Sequence, residues 1–210
     1  MADLGGAPVL VRTLQALEQT PEIAKIVVAS PDAEAVRALA DAHHITKLAA
    51  VVPGGKTRAD SVRAALAAVP KETKLVAVHD AARPLASPAL IGRIVRCAGR
   101  TGAVIPAVPV KDTVKVVREG CVQSTPDRAS LFAAQTPQVF SRLILETALS
   151  LPGSFTDDAS AVEAMGVCVR TLAGDYENLK ITTPEDLVIA RLLYERRPPC
   201  ESATATTSTV

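Results

Sequence analysis

The sequence has 210 residues, 48% of them apolar but only 2% aromatic, and its 23 basic and 22 acidic residues leave a net charge of +1. That length fits one α/β domain whose interior is filled by Ala, Val and Leu. The near-neutral balance excludes a strongly basic nucleic-acid binder. No run approaches a membrane span, and the opening MADLGGAP lacks the basic-then-apolar order of a signal peptide.

In chain order, Val9, Leu10, Thr13, Leu14 and Leu17 lie at helical spacing behind Pro8, a good first-turn residue. Residues 26–29 read as a short strand, 31–42 as a helix and 48–52 as a second strand. A Pro-Gly-Gly turn at 53–55 opens a helix whose apolar face is Val62, Ala65, Leu66 and Val69. Strand 75–78, helix 87–99 and strand 103–108 continue the alternation, the signature of a mostly parallel sheet with helices on both faces. Residues 111–127 break it: β-branched and polar residues alternate around Glu119–Gly120, which predicts a hairpin arm. Such an arm either embraces a second subunit, giving a homodimer, or folds back on its own domain. Beyond it come a strand at 135–140, helices near 141–150 and 157–165, a strand at 167–172 and a last helix opened by Pro184 and Glu185, with Thr183 as its cap. One domain over 1–196, with the arm about 111–135, and a disordered tail over 197–210 are expected.

Three stretches carry chemistry. In VAVHDAARP (76–84), a strand runs straight into Asp80 and Arg83. Ligands of open α/β sheets bind at the carboxyl ends of strands. There a carboxylate can hold magnesium and a guanidinium can hold phosphate. The plainer alternative makes Asp80 a helix cap and Arg83 a surface charge. In GGKTRADS (54–61), Gly54 and Gly55 allow close backbone approach, and Arg58 and Ser61 could reach the same ligand; the stretch is not a Walker-type loop. In NLKITTPEDL (178–187), Lys180 and Thr182 share one face of an extended stretch that ends at a helix start. Cys97, Cys121, Cys168 and Cys200 have no C-x-x-C spacing, so no zinc site is expected and a reducing cytoplasm is the expected setting.

Taken together, GGKTRADSV, HDAARP, PVKDTVK, the DR of TPDRASLF, QTPQVF, TDDASAVE and NLKITTPEDL resemble, in order and spacing, the 2-C-methyl-D-erythritol 4-phosphate cytidylyltransferases of isoprenoid-precursor synthesis, over about residues 5–195. The resemblance implies a Rossmann-like nucleotidyltransferase fold and transfer of a cytidylyl group from CTP to methylerythritol phosphate, with loss of pyrophosphate. It implies that Asp80 holds Mg2+ and contacts substrate, and that Arg83, Thr113, Thr136 and Thr182 bind or flank the methylerythritol phosphate. Lys180, and Arg128 reaching from a partner's arm, would position the attacking phosphate, while Gly54, Gly55, Ser61 and Ala81 would line the cytosine pocket. Transfer to ribitol 5-phosphate and a non-catalytic dimeric remnant are the alternatives. The family's opening strand and its Gly-rich loop with an Arg and a Lys have no counterpart before MADLGGAPVL. The expectation is that no strand fits before Gly5, that neighbouring strands keep unpaired backbone groups, and that this chain is at best feebly active.

Overall fold

A computed structural model describes residues 2–197, so the predicted tail lies, past Arg197, outside the described residues. Its elements in chain order are β1 (Asp3–Leu4), β2 (Ala7–Pro8), α1 (Val9–Glu18), β3 (Ile26–Ala29), α2 (Ala33–Ala42), β4 (Leu48–Val52), α3 (Arg58–Ala68), β5 (Leu75–Val78), α4 (Pro88–Thr101) and β6 (Ala103–Pro109). They continue with β7 (Val116–Arg118), β8 (Cys121–Ser124), β9 (Phe132–Ala134), β10 (Gln138–Ser141), α5 (Arg142–Ser150), α6 (Asp158–Glu163), β11 (Arg170–Ala173) and α7 (Pro184–Glu195).

The helices begin where the side chains dictate. Asp32, Thr57, Ser87, Ser141, Asp157 and Thr183 each accept a backbone N–H of the first turn, and Pro88 and Pro184 occupy first-turn positions that need no donor. α4 stops at Gly102, whose φ of 83° suits a residue without a Cβ.

The central sheet has the order β11-β6-β10-β5, with β9 also on β6. β11 runs parallel to β6, whereas β10 is antiparallel to both β5 and β6. The sheet is therefore mixed, and β10 departs from the expected parallel alternation. No crossover helix precedes β10: the chain leaves at the carboxyl end of β6, traverses the arm, and re-enters at the same edge, so β10 must run the other way. β3 and β4 form a separate parallel pair. Among the described residues β3 pairs only with β4, and β5 only with β10, so one edge of each carries no ladder.

Side chains alternate across the central sheet with the period of two. Val76, Val78, Ala103, Ile105 and Phe140 face α5 and α6, where Leu145, Ala148 and Val162 are buried. Leu75, Ala77, Val104 and Val139 face the other way, onto Leu90, Ile94 and Ala98 of α4. Leu14 of α1 and Ala40 of α2 close over Ile26 of β3.

Two local findings correct the sequence reading. A two-residue strand does precede Gly5, because Gly5 and Gly6, with φ of 60° and 80°, close the tightest kind of hairpin between β1 and β2. It belongs to no central sheet; Leu4 is buried with Leu85, Ala190 and Leu193 under α7. Residues 132–134, not singled out as a strand in the sequence, pair with β6 and return the arm to the sheet.

Phe140 is fully buried between the sheet and α5. Phe140→Ala removes its ring from the middle of the larger core and is expected to cost about 3–5 kcal/mol, read as a lower urea midpoint at unchanged slope.

Candidate active site

The carboxyl ends of β5 and β6, which run in the same direction, and the entry to β10 converge on one edge of the sheet. Asp80 lies two residues past β5, and its carboxylate gathers three cations. Lys180 Nζ is 3.0 Å from Oδ2, Arg83 Nε is 3.6 Å from Oδ2, and Arg58 Nε is 3.9 Å from Oδ1. Arg58 comes from the first turn of α3, in the glycine-rich stretch, and Lys180 from the segment before α7. Residues about a hundred positions apart thus meet on a single carboxylate.

Burial alone would raise the Asp80 carboxyl, but Lys180, then Arg58 and Arg83, outweigh it and hold Asp80 below the ordinary aspartate range. Burial also weakens the protonation of Arg83, which Asp80 only partly offsets. Arg58 is the reverse: the Asp158 carboxylate, 2.7 Å from Nη2, overcomes the burial and holds its proton more firmly. Asp158, 2% exposed, opens α6, and its partner Arg58 reaches between it and Asp80. Asp158 was visible in the sequence only as part of TDDASAVE; nothing in its spacing showed that it would face Arg58.

A ring of hydrogen bonds holds this edge together. The Asp80 N–H donates to Thr136 Oγ1 at 3.0 Å, and Thr136 Oγ1 lies 2.8 Å from His79 Nδ1. His79 Nε2 lies 3.3 Å from the Arg83 carbonyl, and the Arg83 N–H closes the turn onto the Asp80 carbonyl. Arg83 Nη1 donates to the Asn178 carbonyl at 2.7 Å, while Asn178 Nδ2 donates to the Thr136 carbonyl at 2.9 Å. Ile181 N–H reaches the Ala82 carbonyl at 2.8 Å, and Thr13 Oγ1 reaches that of Ala81 at 2.7 Å. Three loops from distant parts of the chain are thereby locked in one register, which places Lys180 over Asp80.

Of the residues singled out in the sequence, Asp80, Arg83, Lys180 and Arg58 come together directly. Thr136 joins them from beneath, buried, with its hydroxyl engaged by His79 and Asp80. Thr182 gives its N–H and its hydroxyl to Asp186, so its side chain serves the start of α7. Gly54, Gly55 and Ser61 form a compact loop: the Gly55 N–H donates to Ser61 Oγ, and a Cβ on Gly55 would collide with the Asp60 side chain. Ala81 is exposed beside Asp80. Thr113 and Arg128 stand on the arm, where Arg128 Nη1 donates to the Lys111 carbonyl at 2.8 Å. The arm is a β7–β8 ribbon turning at Glu119 and Gly120, and its Val114, Val116, Val117 and Val122 are all exposed.

No cluster of three or more His, Cys, Asp or Glu side chains able to hold a metal occurs among the described residues. Asp158 is committed to Arg58, and Asp80 is the carboxylate that stands just past the end of β5. That donor fits a magnesium ion whose other ligands are phosphate oxygens and water, and fits no all-protein cage.

A sequence profile of the 2-C-methyl-D-erythritol 4-phosphate cytidylyltransferase family matches residues 1–196. A 2-C-methyl-D-erythritol 4-phosphate cytidylyltransferase from Desulforamulus reducens is 47% identical over 198 residues, covering 90% of this chain and 85% of that one. The crystal structure of the corresponding protein from Thermus thermophilus superposes with a TM-score of 0.76 at 34% identity, covering 92% of this chain and 91% of that one. That of a 4-diphosphocytidyl-2C-methyl-D-erythritol synthase from Anaerococcus prevotii gives a TM-score of 0.83 at 30% identity, covering 92% and 88%.

His79 makes the site acid-sensitive. Burial pushes its imidazole down to about 4, against the opposing pull of the Arg83 carbonyl and Asp80. Above about pH 6.5 the imidazole is neutral in both folded and unfolded chains, and the fold loses nothing. As pH falls from about 6.5 towards 4, only the unfolded chain takes the proton, and stability should drop by on the order of 3 kcal/mol. Urea midpoints at pH 7 and pH 4.5 check this: the parent should lose more stability over that interval than His79→Gln, which has no proton to take up there.

Proposed function

The chain belongs to the 2-C-methyl-D-erythritol 4-phosphate cytidylyltransferase family, and from that premise we infer that the Asp80 cluster is where CTP and methylerythritol phosphate meet. The protein is a nucleotidyltransferase: it moves a cytidylyl group from CTP to 2-C-methyl-D-erythritol 4-phosphate, on the way to isoprenoid precursors. The observation that carries the site reading is the convergence of Lys180, Arg83 and Arg58 on one carboxylate at the sheet's carboxyl edge.

In this reaction a phosphate oxygen of the acceptor attacks the α-phosphorus of CTP. The bond from that phosphorus to the bridging oxygen breaks in line, and pyrophosphate leaves. Two polyanions must approach each other, so the barrier is chiefly one of charge and position. Lys180, 44% exposed, is free to exchange part of its hold on Asp80 for the attacking phosphate. Arg83 is nearly buried, with one nitrogen already on the Asn178 carbonyl, so it serves as a fixed positive charge at the acceptor phosphate. Arg58, fixed by Asp158, faces Asp80 from the opposite side and, within this reading, contacts the nucleotide beside the Gly54–Gly55 loop and Ser61. Backbone groups of that loop and of Ala81 suit recognition of the cytosine edge by hydrogen bonding.

Magnesium belongs to the same proposal. Asp80 would hold it, and when bound the ion supplies charge neutralisation on the CTP phosphates. A homodimer and a cytoplasmic setting complete the reading. The first is supported by the exposed valines of the arm, the second by Cys97, Cys121 and Cys168, which are free thiols. In such a dimer Arg128 and Thr113 would approach the acceptor phosphate in the partner's site.

Two measurements test this. Asp80→Asn and Lys180→Ala should each lower kcat for CTP-dependent transfer by about 10²–10³ relative to the parent chain, with overall secondary structure retained. Loss smaller than about tenfold in both would remove the cluster from the chemistry. For the shared site, Arg128→Ala and Asp80→Asn chains should each be weak alone but regain activity on mixing and subunit exchange, because one site of a mixed dimer is then intact. A sedimenting monomer, or no gain on mixing, would refute the dimeric site.

A further inference from the structure

We propose that His79, as its neutral Nε2–H tautomer, is a positioning residue that sets Asp80 and Arg83 through the Thr136 hydroxyl. The proposal rests on the reading of the Asp80 cluster as the transfer site. It follows from the polarity of the hydrogen bonds. The Arg83 carbonyl can only accept, so the nitrogen facing it at 3.3 Å, Nε2, carries the proton. In a neutral imidazole Nδ1 is then an acceptor, and the partner 2.8 Å away, the Thr136 hydroxyl, must donate to it. With its proton so directed, Thr136 Oγ1 presents a lone pair to the Asp80 N–H at 3.0 Å.

The result is a one-way relay: Asp80 N–H to Thr136 Oγ1–H to His79 Nδ1, then His79 Nε2–H to the Arg83 carbonyl. Its two ends are the main chains of the two residues that meet the reactants, and the Arg83 N–H to Asp80 carbonyl bond closes the same turn. A chain of bonds in one direction reinforces itself. It has a single consistent set of proton positions, so it holds one arrangement of the turn. An imidazole that merely filled space under β5 would need neither its tautomer nor the hydroxyl. The relay also gives Thr136 an inward duty, since its hydroxyl proton is spent on His79.

The experiment combines a spectroscopic and a kinetic readout on the full chain. In 15N-labelled protein without substrate, His79 should show a proton-bearing Nε2 and a bare Nδ1. In Thr136→Val the Nδ1 signal should move and the Asp80 amide should exchange faster with solvent; Thr136→Ser should reverse both. In CTP-dependent transfer, Thr136→Val and His79→Phe should each lower kcat by about 10–100-fold, the scale of a small misplacement of reacting groups. KM for CTP should stay within about threefold, Thr136→Ser should recover most of the lost kcat, and the double variant should fall little further than either single one, as for residues acting as a unit. A proton on Nδ1, an unchanged Asp80 amide in Thr136→Val, parental kcat in both single variants, or losses that multiply in the double variant would each overturn the proposal. The expected tautomer and amide behaviour together with a parental kcat in Asp80→Asn would support the relay and overturn the transfer reading instead.

Discussion

Asp80 is held at once by an ammonium and two guanidinium groups, and the geometry of the whole edge follows from keeping that carboxylate ionised and in place. A half-buried carboxylate is costly unless opposite charge stands close by. Here the charges come from three segments that share no local structure: the first turn of α3, the turn after β5 and the stretch before α7. Each must be delivered to within a few ångströms, and hydrogen bonds to backbone carbonyls tie the segments together beside the ion pairs. Asn178 ties the Lys180 segment to both Thr136 and Arg83, and Ile181 ties it to Ala82. Lys180 is the exposed member of the cluster, while Arg83 and Asp158 are shut in.

The two carboxylates divide the work. Asp158 is almost wholly buried and spends itself on Arg58, so that Arg58 arrives at the site already oriented. Asp80 remains partly open, its oxygens shared among cations that phosphate oxygens can also satisfy. Arg58, Arg83 and Lys180 stand against Asp80 and Asp158, with the Asp157 carboxylate also acting on Arg58, so the site is close to charge balance before its substrates enter. Such a balance suits the approach of two anions without making the empty pocket unstable.

The arm follows a different logic. Its root is pinned, with the Tyr176 hydroxyl on the Pro109 carbonyl and Lys111 over the Tyr176 ring, while its ribbon carries valines outward. A two-stranded ribbon gains little stability by itself, and the valines on this one stand exposed.

Much of this was legible from the sequence. The start of the last helix was marked by Thr183 and Pro184, and the arm by a β-branched alternation around Glu119–Gly120, because caps and tight turns are local chemistry. Asp80 could be picked out as a magnesium ligand, and Arg83 and Lys180 as ligands of phosphate, because each follows a strand or precedes a helix start. What no local pattern contained was the reversal of β10, the strand at 132–134, the Arg58–Asp158 pair or the tautomer of His79. These depend on which segments the packed sheet brings face to face. Thr136 and Thr182 look alike in sequence, each a hydroxyl beside a proposed ligand, yet one is buried against His79 and the other donates to Asp186 in the first turn of α7. The chain's own residues decided which groups could bind phosphate. Only tertiary structure decided which of them share one carboxylate, because charges a hundred residues apart become neighbours through the sheet alone.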